Sequence, residues 1–135
     1  MLRLFILFTL LVGSQAIAKE SEKLVVAGGT LTELVFALGA GDQVVAVDQS
    51  SLYPANVSEL PSVGYYRDLA AEGVLSTGLT RLIAQEGSGR DAALKQIEAA
   101  GVQVNYYEKT VTVEGLFRLI EKLGQDLSKG HRAKQ

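Results

Sequence analysis

Short apolar runs alternate along the chain with longer segments in which apolar residues recur at helical spacing. The short runs are typical of strands that are buried in a parallel sheet. The longer segments are typical of helices that bury one face. The predicted strands are residues 24–27, 43–47, 81–84 and 102–106.

The first predicted helix opens at the glycine pair Gly28-Gly29. Thr30 stands three residues before Glu33, which is the spacing of a capping box, and Gly39 ends the helix. The other predicted helices are residues 54–60, 69–76, 91–100 and 113–127.

Strands separated by helices predict right-handed βαβ units, and therefore an α/β fold. We expect a parallel four-stranded sheet with helices on both faces and with the first strand in the middle. Ligands of such sheets bind beyond the carboxyl ends of the strands. The segments expected there are residues 28–30, 48–53 and 86–89.

Residues 1–18 are predicted to be a cleaved signal peptide. Arg3 precedes an apolar run over residues 4–12, and Ala16 and Ala18 form a small-residue cleavage site. The run is shorter than the about 20 residues that span a membrane. We therefore expect export, and a chain without cysteine suits the periplasm.

Composition narrows the possible chemistry. The 135 residues are 47% hydrophobic and 21% charged, as in one folded domain. A net charge of −2 leaves no basic surplus for nucleic acid. The chain has no cysteine, and its only histidine, His131, lies in a polar tail, so a Ser-His-Asp or Cys-His site is excluded. A small periplasmic enzyme using Asp48 or Glu86 at the strand ends stays open.

Two candidate binding features remain. The turn AGGTLTE lacks the lysine of a phosphate-binding loop, so we interpret it as a tight turn that can line a cleft. Tyr65 and Tyr66 precede Arg67, whose charge favours a phenolate, and a tyrosine can bind haem iron axially. The alternative, in which one tyrosine packs and the other faces water, stays open. Neighbouring side chains of an extended segment point to opposite sides, so we do not expect Tyr66 to replace Tyr65.

Residues 27–76 resemble the N-terminal lobe of periplasmic haem-binding proteins of ABC haem importers. The resemblance is carried by AGGTLTE with ALGAGD, by VDQSSLYP, by LPSVGYYR and by AEGVLS. It continues more weakly through LIAQEGSG and TVEGLFRLI. The VGY-x-R and SLYP segments are characteristic of the haem branch, whereas the rest is shared with cobalamin and siderophore binders.

The resemblance implies an N-terminal α/β lobe at residues 19–112, the start of an interlobe helix at 113–129 and a polar tail at 130–135. Members of this family have a second lobe, and the resemblance implies that this chain, as a fragment or a truncated product, lacks it. Part of the apolar face of the interlobe helix is then expected to be exposed, which favours self-association.

The resemblance also implies a non-enzymatic periplasmic carrier that binds haem and delivers it to an ABC permease of the inner membrane. Such systems can include an outer-membrane haem receptor. Tyr65 corresponds to the axial ligand of the haem iron, and Glu72 to a residue that docks on the permease. The implied haem contacts are Arg67, Gly28, Gly29 and Thr30. The alternatives are a cobalamin or ferric-siderophore binder, a small periplasmic enzyme and a non-functional remnant.

Overall fold

The computed structural model describes residues 21–135, so the predicted signal peptide lies outside the described residues. The strands are β1 Leu24–Ala27, β2 Val44–Val47, β3 Arg81–Gln85 and β4 Gln103–Tyr107. The helices are α1 Gly29–Ala37, α2 Ala71–Leu75, α3 Asp91–Ala99 and α4 Val113–Asp126. Short 3₁₀ turns occur at Gly41–Gln43, Ala55–Glu59, Tyr66–Asp68 and Arg132–Lys134.

The four strands form one sheet in the order β2-β1-β3-β4, and every neighbouring pair is parallel. The predicted α/β fold and the position of the first strand, between β2 and β3, are both confirmed. Because all strands run the same way, their carboxyl ends lie along one edge of the sheet. The loops that follow β1, β2 and β3 therefore share that edge.

Helices cover both faces of the sheet. Along β1, Leu24 and Val26 face one apolar cluster while Val25 and Ala27 face the other, and all four are fully buried. The first cluster includes Leu31 and Val35 of α1 and Leu119 and Leu123 of α4. The second includes Ala71 and Val74 of α2 and Leu94 and Ile97 of α3. Burial on both faces explains why β1 is a continuous apolar run rather than an alternating one.

Two of the helix predictions were wrong, one in the type of helix and one in how the helix begins. The predicted helix at 54–60 is a 3₁₀ turn over Ala55–Glu59. Helix α1 begins at Gly29 rather than after Thr30, and Gly28 is its N-cap without a side-chain capping bond. Gly28 has a φ of 131°, which residues with a Cβ rarely adopt, so the turn depends on the glycine rather than on a threonine cap.

The C-terminal tail is more ordered than its polar composition predicted. Ser128 has a φ of 58° and turns the chain after α4. The Lys129 amide then donates to the Gly124 carbonyl (2.6 Å), and Ala133 packs against the cluster of α1 and α4. The Arg132 side chain also lies beside Gly39, at the C-terminal end of α1, so more than one contact holds the tail. The predicted boundary at 129/130 stays a prediction.

Helix α4 leaves part of its apolar surface uncovered. Val113, Leu116 and Phe117 are exposed, whereas Leu119 and Leu123 of the same helix are buried. The expected exposed apolar face is therefore present among the described residues.

Within residues 21–135, no helix has both the length and the apolar character needed to cross a membrane.

Replacing Gly28 by alanine is expected to lower the free energy of unfolding by about 1–3 kcal/mol, the usual cost of a strained backbone conformation. A Cβ at Gly28 would lie 2.9 Å from Cβ of Gln85, in addition to the unfavourable φ. Urea unfolding monitored by circular dichroism measures the change. Gly73→Ala in α2 is the matched control, because no atom lies within 4 Å of the added Cβ, and it should not destabilise the chain. Equal unfolding midpoints for Gly28→Ala and wild type would contradict the prediction.

Candidate functional site

The tyrosine segment lies at the carboxyl edge of the sheet, between the loops that follow β2 and β3. The Gln49 amide, two residues beyond β2, donates to the Gly64 carbonyl (2.8 Å). The Gly89 amide, beyond β3, donates to the Tyr66 carbonyl (2.7 Å). Two backbone hydrogen bonds thus fix the segment to the edge where parallel sheets bind ligands.

Tyr65 combines a fixed backbone with an accessible side chain. It is the N-cap of the Tyr66–Asp68 turn, and its carbonyl accepts a hydrogen bond from the Asp68 amide (2.9 Å). Its side chain is nevertheless 47% exposed. A phenol held in this way can meet a ligand from outside without a rearrangement of the main chain.

Tyr66, in contrast, is buried and bound to Arg67. The Arg67 Nε donates to the Tyr66 hydroxyl (2.8 Å), and Cζ of Arg67 lies 5.4 Å from the centre of the Tyr66 ring. This hydrogen bond is the main reason that the pKa of Tyr66 is lowered; burial opposes the effect, and the positive charge of Arg67 adds to it. The same bond raises the pKa of Arg67. We predicted that Arg67 would act on Tyr65 or on a haem propionate, but its Nε is used by Tyr66.

The two tyrosine rings touch each other. Their centres are 4.9 Å apart at an interplanar angle of 68°, an edge-to-face contact. The expectation that the side chains point to opposite sides was therefore wrong. The chain leaves the extended conformation at Tyr65 and enters a 3₁₀ turn at Tyr66, where successive side chains differ by about 120° rather than by half a turn.

Asp48 organises the loop after β2. The carboxylate is 1% exposed and accepts four hydrogen bonds, at 2.6–2.9 Å. The donors are the Gly28 amide and the Ser51 hydroxyl on Oδ1, and the amide and hydroxyl of Ser50 on Oδ2. Four donors satisfy about as many lone pairs as a carboxylate offers, so Asp48 is not free to act as a general base. The alternative of a small periplasmic enzyme, which would use Asp48 or Glu86, therefore keeps only Glu86 as a candidate.

Sequence reasoning missed this structural role of Asp48. The pattern that could have revealed it is an aspartate followed by two serines at the end of a strand, because Asp side chains commonly bond the backbone two residues further on. The second partner, Gly28, is twenty residues away in sequence and could not be read from any local pattern.

The glycine turn is only partly available to a ligand. The Gly28 amide is already donated to Asp48, so a carboxylate could meet only the following amides, of Gly29 and Thr30. Gly29 lies against the loop after β2, since a Cβ there would be 3.0 Å from the Ser50 carbonyl oxygen. The turn and the tyrosine segment therefore contact the same loop.

A hollow lies beside this edge of the sheet, between β4 and α4. It has a volume of about 520 Å³, and its lining includes Lys109, Arg118 and Lys122. Thr30 borders a smaller hollow of about 60 Å³ that shares Lys109 with the larger one. Among residues 21–135, no cluster of three or more His, Asp or Glu side chains is arranged to hold a bare metal ion.

Glu72 is exposed in the first turn of α2, the helix that follows the Tyr66–Asp68 turn. An acidic residue at this position also stabilises a helix through the positive end of its dipole. Its location is thus compatible with docking and with a purely local role.

Comparison with known proteins identifies the relatives of this lobe. Residues 24–135 match the family described as periplasmic binding protein. A periplasmic haem-binding protein from Pseudomonas aeruginosa is 43% identical, with a TM-score of 0.80 over 84% of this chain and 40% of that chain. The periplasmic haem-binding protein HutB of Vibrio cholerae is 41% identical, with a TM-score of 0.79 over 84% of this chain and 44% of that chain.

Another relative is named for a different ligand. The vitamin B12-binding protein of Vibrio parahaemolyticus serotype O3:K6 is 33% identical over 105 residues, which are 76% of this chain and 38% of that protein. The chain thus spans about two-fifths of the length of the relatives it matches.

Proposed function

We propose that this chain, which belongs to the periplasmic binding protein family, binds ferric haem through Tyr65 and takes part in its delivery to an ABC permease of the inner membrane. Its relatives are substrate-binding proteins rather than enzymes. Its location is proposed to be the periplasm, in line with the names of those relatives. An outer-membrane haem receptor that supplies the haem is part of the same proposal.

The observation that carries the proposal is the arrangement of Tyr65. Its phenol is half-exposed at the carboxyl edge of the sheet, on a backbone held by hydrogen bonds to the loops after β2 and β3. A phenolate is an oxygen ligand that haem proteins use on ferric iron. The guanidinium of Arg67 lies in the same turn and is hydrogen-bonded to Tyr66, whose ring packs against that of Tyr65.

The propionates of haem require cationic or amide partners. Arg67 keeps its two Nη groups as donors, because the hydrogen bond to Tyr66 uses Nε. A guanidinium can hold a carboxylate with two hydrogen bonds. The amides of Gly29 and Thr30 are proposed as a second contact, and Gly28 as the residue that shapes their turn.

Cobalamin is the second candidate ligand, because a curated relative with 33% identity is named for vitamin B12. Cobalamin holds its metal in a corrin ring and contains no ferric iron, so its binding would not need a phenolate ligand to iron. The two candidates therefore differ in what they need from Tyr65.

Parallel titrations with ferric haem and with cyanocobalamin test the proposed function. We expect haem to give tyrosinate charge-transfer bands on binding, and cobalamin to give no saturable spectral or calorimetric change. Binding of cobalamin in preference to haem would replace the proposal by the second candidate. Binding of neither ligand to the folded chain would reject both.

Glu72 is proposed to dock on the permease by pairing with an arginine. An exposed ion pair contributes only about 0.2–1 kcal/mol, so Glu72→Ala should weaken association with the permease by roughly 1.4- to 5-fold. Association with permease in lipid nanodiscs measures the effect, while haem affinity should stay unchanged. Glu59→Ala, at an exposed acid outside α2, is the control. Unchanged association for Glu72→Ala would remove the docking role.

A further inference from the structure

Among residues 21–135, the Tyr66 hydroxyl accepts a hydrogen bond from Arg67 but donates none of its own. A phenol has one donor hydrogen and two acceptor lone pairs, whereas a guanidinium has donors only. Arg67 therefore uses a lone pair of Tyr66 and cannot accept its proton. Tyr66 is 8% exposed, and a buried phenol usually places its proton on an acceptor. The ring in contact with Tyr66 is that of Tyr65.

We infer that Tyr66, fixed by Arg67, is a positioning residue that donates a hydrogen bond to the Tyr65 oxygen when that oxygen is bound to ferric haem. The inference rests on the proposed function. It assigns a role to the position that is variable in the VGY-x-R segment, where this chain has a second tyrosine.

The hydrogen-bond pattern changes when the ligand binds. The O–H bond of Tyr65 breaks, its proton passes to solvent, and the phenolate oxygen bonds to ferric iron in place of a water ligand. That oxygen can then only accept hydrogen bonds. The Tyr66 hydroxyl can rotate to donate to it while its own lone pair still accepts from Arg67. The positive guanidinium polarises the Tyr66 hydroxyl, which strengthens its donation to a negative oxygen.

A hydrogen bond to an axial ligand tunes the metal. Donation from Tyr66 draws electron density from the Tyr65 oxygen and so weakens its preference for ferric over ferrous iron. Removing the Tyr66 hydroxyl should therefore strengthen the iron–oxygen bond. If the preference for ferric haem rises tenfold, the midpoint potential falls by about 59 mV for this one-electron couple.

The test compares wild type with Tyr66→Phe, which keeps the buried ring and removes only the hydroxyl. Each protein is loaded with ferric haem, the iron–oxygen stretching frequency is measured by resonance Raman, and the midpoint potential by redox titration. We expect Tyr66→Phe to raise the frequency and to lower the potential. Arg67→Gln should shift both in the same direction but less. Tyr106→Phe, at a half-exposed tyrosine of β4, should change neither.

A role in packing alone would lower haem affinity without moving the frequency or the potential, and that result would overturn the inference. A full shift in Arg67→Gln with none in Tyr66→Phe would also overturn it, because Arg67 would then contact Tyr65 directly. Failure of the proposed function looks different. It would show as no tyrosinate signature in wild type, or as a signature retained in Tyr65→Phe, and either result would overturn the inference as well.

Discussion

The Tyr65→Phe variant is expected to lose the tyrosinate charge-transfer bands that the wild-type chain gives with ferric haem. Phenylalanine preserves the ring and its contact with Tyr66 but has no oxygen to bind iron. Mutation of groups that merely support a metal ligand costs 10–100-fold in affinity, so loss of the ligand itself should cost more than roughly 100-fold. Absorbance titration of the variant and of wild type measures both the bands and the affinity.

Tyr66→Phe and Tyr106→Phe are the matched controls for this loss. Both remove one phenolic oxygen, but Tyr66 is buried against Arg67 and Tyr106 lies on β4 outside the tyrosine segment. Both should retain the tyrosinate bands. If Tyr65→Phe retained the bands while Tyr66→Phe lost them, the axial ligand would be Tyr66, and the accessibility argument for Tyr65 would be wrong.

The Asp48→Ala variant is expected to be the most destabilised of the substitutions considered, by about 3 kcal/mol. The substitution leaves the buried amide of Gly28 and the buried hydroxyl of Ser51 without their acceptor, and a buried unsatisfied donor costs roughly 1–3 kcal/mol. The Ser51 hydroxyl keeps a contact with the Thr32 hydroxyl (2.7 Å), which limits its share. Small domains have about 5–15 kcal/mol in total, so the loss is a large fraction.

Asp48→Asn separates geometry from hydrogen bonding, because asparagine has nearly the same shape but places an NH₂ group against one of the two sets of donors. In chemical unfolding, we expect Asp48→Asn to lower the free energy of unfolding, but by less than Asp48→Ala does. Asp42→Asn, at an exposed aspartate of the turn before β2, should leave the unfolding midpoint unchanged. Similar midpoints for Asp48→Ala and Asp42→Asn would show that the four hydrogen bonds contribute nothing net.

The central position of Asp48 has a consequence for the binding edge. Its carboxylate joins the turn before α1 to the loop after β2, and Gln49 of that loop holds the tyrosine segment through Gly64. Loosening the loop should therefore also weaken the fixed placement of Tyr65. The stability of the lobe and the precision of its ligand edge depend on the same buried group.

Local patterns predicted most of the secondary structure. The apolar runs at residues 24–27 and 82–84 lie in β1 and β3 because burial on both faces of the sheet favours apolar side chains at these positions. The helical spacing of Leu119, Leu123 and Leu127 predicted α4 and the side that it buries. These features depend on residues that lie close together in sequence, within one strand or one helix. Local patterns in the sequence are therefore enough to predict them.

Local patterns failed where the structure of a segment depends on contacts with residues that are distant in sequence. Thr30 has the spacing of a capping box, but the turn is set instead by the φ of Gly28 and by the distant Asp48. The polar tail predicted no structure, yet Ala133 finds a place on the core. In each case the deciding contact joins segments that the fold brings together.

The sequence by itself determined the α/β lobe, the edge of the sheet that carries the loops, and the presence of a tyrosine–tyrosine–arginine segment in a loop after β2. These follow from hydrophobic periodicity, from glycine turns and from the order of strands and helices, all of which are properties of the chain in one dimension. Only the tertiary structure decided that Arg67 binds Tyr66, that Tyr65 stays exposed, and that Asp48 holds the loop beside them. A hydrogen bond forms only within about 3 Å and in a suitable direction, so its partner is fixed by the fold and not by residue type.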